Sequence, residues 1–174
     1  MTRQDQHLTG VERSFDDDEL IVSKTDIKGR MTYCNDLFIR LSGFRESELI
    51  GQPHSLIRHP HMPRTAFKLL WDHLQDGREV FAYVVNRAKN GDHYWVLAHV
   101  APDLDRTGTV VGYHSNRRTA AAAAREVVEP LYARLRAVET ASADPQAGLQ
   151  AGLAELNAML AAKGVDYDRF ILDL

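Results

Sequence analysis

The chain has 174 residues, 44% of them hydrophobic, with a formal net charge of −3 and a mean hydropathy of −0.34, which fits one globular domain or a smaller domain with an appendage. That charge offers no basic face for nucleic acid or anionic membrane. No apolar run approaches the ~20 residues that cross a bilayer, no signal peptide opens the chain, and a single Cys34 excludes an internal disulfide or an all-cysteine metal site. A soluble, cytoplasmic protein is the expectation.

Residues 1–18 show no sustained periodicity and end in an acidic run, so they read as a mobile N-terminal cap. Residues 19–26 (ELIVSKTD) predict a strand, a turn centred on Gly29 follows, and residues 30–34 (RMTYC) complete a hairpin. Asn35 and Asp36 open a short helix with Leu37, Phe38 and Leu41 as its apolar stripe, which Gly43 stops. Residues 46–49 allow one more helical turn. Next comes QPHSLIRHPHMP, residues 52–63, in which Pro53, Pro60 and Pro63 hold the residues before them extended and so forbid a long helix. Pro63 starts the next helix, where Phe67, Leu70, Trp71 and Leu74 recur at i, i+3, i+4 and i+7 before Gly77.

Val80–Arg87 reads as a strand, Asn90 and Gly91 as a tight hairpin turn, and residues 93–101 as the returning strand. A loop over residues 103–108 leads to a last strand at 109–118 (TVVGYHSNRR). Two strands before the helices and three after them predict an α+β architecture, a five-stranded antiparallel sheet with short helices on one face. After Arg118 the composition shifts to alanine. Val127, Leu131, Leu135 and Val138 recur at helical spacing, and Pro130 inside that run predicts a kink or a break. Asp144 and Pro145 start another helix, with Leu149, Leu153, Leu156 and Leu160 at a and d positions before Gly164. Residues 165–174 suit a short strand, a helical turn or a docking tail. The domain plan is a cap over 1–18, a core domain over 19–118 and a helical extension over 119–174. That extension packs on its own domain, pairs with a second copy or holds a partner.

The order of elements is that of a PAS domain, and the motifs carry the resemblance. Residues 29–51 (GRMTYCNDLFIRLSGFRESELIG) are similar to the PAS core. Residues 54–71 (HSLIRHPHMPRTAFKLLW) and 86–96 (NRAKNGDHYWV) resemble the PAS domain of bacterial aerotaxis receptors, which binds FAD and reports redox state. GYHS, residues 112–115, is close to the flavin-binding PAS domain of nitrogen-fixation redox regulators. The resemblance covers residues 19–118. It implies a PAS fold plus the C-terminal extension, a non-covalent FAD, and a cytoplasmic redox or oxygen sensor. FMN and haem are the alternative cofactors, and a cofactor-free interaction module is the alternative from another class.

By that resemblance Arg58 and His59 match positions needed for FAD, Trp71 flanks the flavin, Asn86 hydrogen-bonds its ring, and Asn35 matches the asparagine after the second strand. Phe67 would line the slot, and His114 would sit near the redox-active edge and respond to the charge of reduced flavin. The chain departs from the family at His61, where an aspartate is usual, and at Glu79 and Val80, where Pro-Trp is usual; Phe81 or Tyr83 would replace that aromatic wall. On the residues alone, Trp71 reads rather as core, Asn35 as a helix cap, and His59 and His61 as exposed turn residues. The histidines have no metal-ligand spacing. A haem would take His59, His61, His73 or His114 as its axial ligand. Cys34 sits on the second strand and reads as a small buried residue, away from a flavin adduct. No nucleophile-base pair, phosphate loop or kinase signature is present, so catalysis is not expected. The expected partner is a signalling protein, from chemotaxis or kinase machinery, with a homodimer through residues 119–174 as a further expectation; neither nucleic acid nor a membrane span is expected.

Overall fold

A computed structural model describes residues 7–174; the first six residues of the expected cap lie outside them. Five strands form one antiparallel sheet: β1 (Ile21–Asp26), β2 (Met31–Cys34), β3 (Val80–Arg87), β4 (His93–Leu104) and β5 (Val110–Thr119), in the order β2-β1-β5-β4-β3. Between β2 and β3 lie α1 (Asp36–Ser42), α2 (Glu46–Leu49), a 3-10 turn at His54–Ile57 and α3 (Arg64–Gln75). The three prolines confine the His54 segment to that single turn, as their geometry requires. Helix α3 begins one residue after Pro63, which occupies the N-cap. Strand β4 runs three residues past the expected end before the loop.

Side chains alternate across each strand, and here the alternation separates two environments. Ser23, Thr25, Val84, Asn86, Ala98, Val100, Tyr113, Ser115 and Arg117 face a cavity under α3. The opposite face of β3 and β4 carries Tyr83, Val85 and Trp95, all buried. It is covered by α4 (Ala122–Ala141) and α6 (Tyr167–Leu172), with α5 (Pro145–Lys163) laid against α4. The Tyr132 hydroxyl of α4 donates to the Tyr83 carbonyl at 2.7 Å, and its ring stacks on Trp95 at 6.4 Å.

The extension therefore packs on its own domain. Leu149, Leu156 and Leu160 are buried there, with Leu153 half-buried, so the leucine stripe is occupied within the chain. Two expectations about α4 are corrected. The buried stripe is Ala124, Val128, Tyr132, Leu135 and Glu139, whereas Val127 is 43% exposed. The helix turns to bring Tyr132 to its carbonyl and Glu139 to α3, rather than to bury every aliphatic. Nor does Pro130 break α4, which runs continuously through it. Pro130 lies on the exposed face, where the carbonyl it leaves without a partner meets water. Residues 165–174 resolve into α6, which buries Phe170 and Ile171.

The described part of the N-terminal segment is docked rather than a mobile cap. Thr9 N donates to Gly91 O (3.1 Å), His93 N to Val11 O (2.9 Å) and Arg13 N to His93 O (2.7 Å). Asp92 gathers Thr9, Asn90 and Arg13 at 2.6, 2.8 and 2.9 Å, and these bonds hold its carboxyl down to about 2. Gly91, at φ 99°, has no alternative residue: a Cβ there would lie 2.5 Å from the His7 carbonyl oxygen. No helix among the described residues is long and apolar enough to cross a membrane.

Candidate functional site

Helix α3 presents Phe67, Leu70, Trp71 and Leu74 toward the sheet, and between them and β1, β3, β4 and β5 lies a cavity of about 250 Å³. Its volume is near the lower end of the ~300–1,000 Å³ usual for small-molecule sites. One side is apolar: the α3 residues, Val84, Val100 and Tyr113, whose ring meets Trp71 edge-on at 5.4 Å. The other side is polar, with Ser23, His54, Asn86, Ser115 and Arg117. Arg58 lies in the wall with its guanidinium 3.5 Å from the Phe67 ring centre.

The polar side is under-satisfied. Asn86 Nδ2, Ser115 Oγ and Arg117 Nη1 are buried with no hydrogen-bond partner among the described residues. Buried polar atoms are normally paired, because an unmade bond costs about 1–3 kcal/mol. Three such atoms share one cavity wall, where water or a polar ligand can reach them. Arg117 is 3% exposed. Its Nη2 donates to Ser23 Oγ and to His54 Nε2, each at 2.7 Å. Burial, then the Arg117 charge, push His54 down to about 3. His54 is thus neutral, with Nε2 accepting and the proton on Nδ1. Burial also lowers Arg117, to about 10, which leaves it charged at neutral pH.

Of the expected site residues, Arg58, Phe67, Trp71 and Asn86 are brought together in this wall. His114 also borders the cavity, but its ring is turned away. Nδ1 bonds Asp103 Oδ1 at 2.7 Å, and the ring lies 6.3 Å from that of His99, residues on the other side of the strand alternation. Asn35, His59 and His61 lie outside the lining. Asn35 caps α1: its Oδ1 accepts from Phe38 N and Val22 N, and its Nδ2 donates to Leu20 O. His59 is buried, accepts from His61 N at 3.1 Å, and stands 4.6 and 5.7 Å from the rings of His61 and His93. Burial first, then neighbouring histidines and arginines, hold it down to about 4. His61 is exposed.

Phe81 and Tyr83 do not line the cavity, which corrects the expectation that either is its aromatic wall; the rings that line it are Phe67, Trp71 and Tyr113. Phe81 and Tyr83 lie on the face away from the cavity, Phe81 stacked on His99 at 4.5 Å and Tyr83 under α4. Reading the residues in chain order also missed Ser23, His54, Ser115 and Arg117. The period of two through GYHSNRR would have placed Tyr113, Ser115 and Arg117 on one face, had the face been known. Among the possible haem ligands, His73 bonds Leu69 O at 2.9 Å and faces Tyr167. No group of three or more His, Cys, Asp or Glu among the described residues could hold a metal ion. Cys34 is buried on β2 beside Met31, and burial pushes its thiol up to about 11.

A family model described as the PAS fold matches residues 31–117, half of the chain. The chain belongs to the PAS family. This PAS domain is 44% identical, over 124 residues, to the aerotaxis receptor of Escherichia coli strain K12, covering 71% of this chain and 24% of that receptor. It is 27% identical over 97 residues to a nitrogen fixation regulatory protein of Klebsiella pneumoniae, covering 56% of this chain and 20% of that protein. The chain thus spans about a quarter or less of the length of these relatives. Among solved structures, a light-oxygen-voltage domain studied with a flavin analogue superposes with a TM-score of 0.56 at 19% identity, over 66% of this chain and 86% of that one. That likeness is one of fold. The relatives are by name a receptor and a regulator.

Proposed function

We propose that this PAS domain binds a flavin non-covalently, FAD in preference to FMN, and acts as a cytoplasmic redox or oxygen sensor. The observation that carries the reading is the cavity wall in which Asn86, Ser115 and Arg117 leave buried polar atoms unpartnered opposite the apolar side chains of α3. The donor set fits a flavin. An isoalloxazine ring has a flat apolar body, which Trp71, Phe67, Val84 and Tyr113 would sandwich, and a pyrimidine edge rich in acceptors. Asn86 has both a donor and an acceptor for that edge. Arg58, a planar fork of donors, suits a phosphate where the ligand leaves the protein, a group that FAD and FMN share. The choice of FAD rests on the resemblance of residues 54–71 and 86–96 to the aerotaxis-receptor PAS motifs.

A bound flavin would supply reversible electron transfer with a change in ring charge. The protein's part is to orient the ring, exclude water and report the change. Helix α3 touches the cavity through Phe67 and Trp71 and is capped at its N-terminus by Glu139 of the extension, so displacement of α3 reaches the extension directly. A signalling partner, of chemotaxis or kinase type, would read the extension from outside. A second copy of the chain would do so only through faces other than the leucine stripe. The visible spectrum of the purified protein tests the reading: two flavin bands are expected. A sharp haem band, or a colourless protein that takes up no added flavin, would overturn it.

A further inference from the structure

We infer that Arg117 tunes this cavity for a ligand bearing negative charge at its buried end. For the flavin proposed above, on which this inference rests, that means the reduced, anionic ring is held more tightly than the neutral oxidised one. Arg117 is 3% exposed and takes part in none of the ion pairs among the described residues. Its neighbours are drawn from every element around it, and all are neutral. They are the Ser23 hydroxyl of β1, the neutral His54 of the 3-10 turn, and the Phe38 ring of α1, 5.4 Å from the guanidinium. Cys34 of β2 and Tyr94 of β4 act on it electrostatically, and burial keeps both protonated at neutral pH.

The wall as a whole repeats this imbalance. Lys28, Arg58 and Arg117 line the cavity, and among the described residues no aspartate or glutamate does. A buried charge is ordinarily paired, because an isolated one loses its hydration with nothing in return. Here the groups left open are donors: Arg117 Nη1, Asn86 Nδ2 and Ser115 Oγ. Donors around a fixed cation in a dry cavity are the arrangement that stabilises an oxyanion-like edge. In the reduction, the ring takes two electrons from an external low-potential donor and one proton from solvent, and so gains one negative charge. No bond to the protein forms or breaks. The field of Arg117 acts on that charge alone.

The test is a spectroscopic redox titration with dithionite at pH 7 on the flavin-loaded protein, on free flavin, and on Arg117→Lys and Arg117→Met. The bound ring is expected to be held at least tenfold more tightly when reduced than when oxidised, an upward shift of about 30 mV for a two-electron couple. Arg117→Lys should keep most of the shift and Arg117→Met should abolish it, with a smaller change in affinity for oxidised flavin. If Arg117→Met fails to fold, by circular dichroism, the wild-type shift against free flavin and its retention in Arg117→Lys decide. A bound potential equal to or below that of free flavin overturns the inference, as does a shift that Arg117→Met preserves; both leave flavin binding itself standing. A protein that takes up no flavin ends both.

Discussion

Glu139 and Arg117 are about equally buried, at 6% and 3% exposure, and the fold treats them in opposite ways. Glu139, on α4, is saturated. Its Oε1 accepts from Thr65 N and Thr65 Oγ1, each at 2.7 Å, and its Oε2 accepts from Arg64 N at 2.9 Å. These are the first amides of α3, so a carboxylate from the extension satisfies donors that the helix cannot satisfy itself, at the positive end of its dipole. Packing around it is equally closed: a Cβ on Gly148 would sit 2.1 Å from the Glu139 carbonyl oxygen, and one on Gly152 2.3 Å from Thr65 Oγ1. Arg117 keeps an open donor beside a cavity and has no counter-charge among the described residues. A buried charge that holds two elements together is closed by the fold, whereas one left open points to a ligand.

The contrast breaks most visibly at the junction of α4 and α5. Gly148→Ala forces a side chain against backbone and should cost about 3 kcal/mol or more of stability, read by denaturant unfolding. A loss under ~0.5 kcal/mol would mean that the helices are not seated this closely. Glu139→Ala should cost about 2–3 kcal/mol, the worth of a buried charge-assisted cap, and should raise amide exchange in the first turn of α3. Fast exchange there in the wild type already would sink the cap.

On the cavity side the same size of change should act on binding and spare the fold. Trp71→Ala should weaken flavin binding by about 10–100-fold, and Asn86→Ala by about tenfold, as a lost ring contact and a lost hydrogen bond would. Unchanged occupancy in both variants would show that the ligand sits elsewhere. Acid acts on the fold through the buried histidines. His54 has its pKa lowered to about 3, so the folded state stays neutral there while the unfolded state takes up a proton below ~6.5. Its contribution to stability is complete above that value and declines as the pH falls toward 3, by ~1 kcal/mol over the first unit. His59, lowered to about 4, adds in the same direction. Stability that is flat from pH 6.5 to 5 would contradict a neutral His54 against Arg117.

Much of the fold was legible because its signals are local. Val80–Arg87 followed from its own composition, Asn90 and Gly91 announced the hairpin, and Phe67, Leu70, Trp71 and Leu74 announced the cavity face of α3. Trp71, Asn86, Arg58 and Phe67 were legible as a group only through the family's motifs. What escaped depended on long-range register. His114 was chosen on the likeness of GYHS to the family's motif, and Arg117 was passed over because a period of two separates faces without saying which one is inside. The stripe of α4 escaped because Glu139, a charge, is among its buried residues, and hydrophobic periodicity cannot anticipate a carboxylate wanted by another helix. Of the kink or break expected at Pro130, the break is absent, because the carbonyl the proline leaves unpaired lies on the exposed face of α4.

The most direct test is an equilibrium titration of ligand-free protein with FAD, FMN and riboflavin, followed by quenching of flavin fluorescence. Saturable one-to-one binding of the shared ring is expected for all three, tightest for FAD and weakened by Asn86→Ala. A linear, non-saturating response to every flavin, from a protein that is folded by circular dichroism, would contradict it.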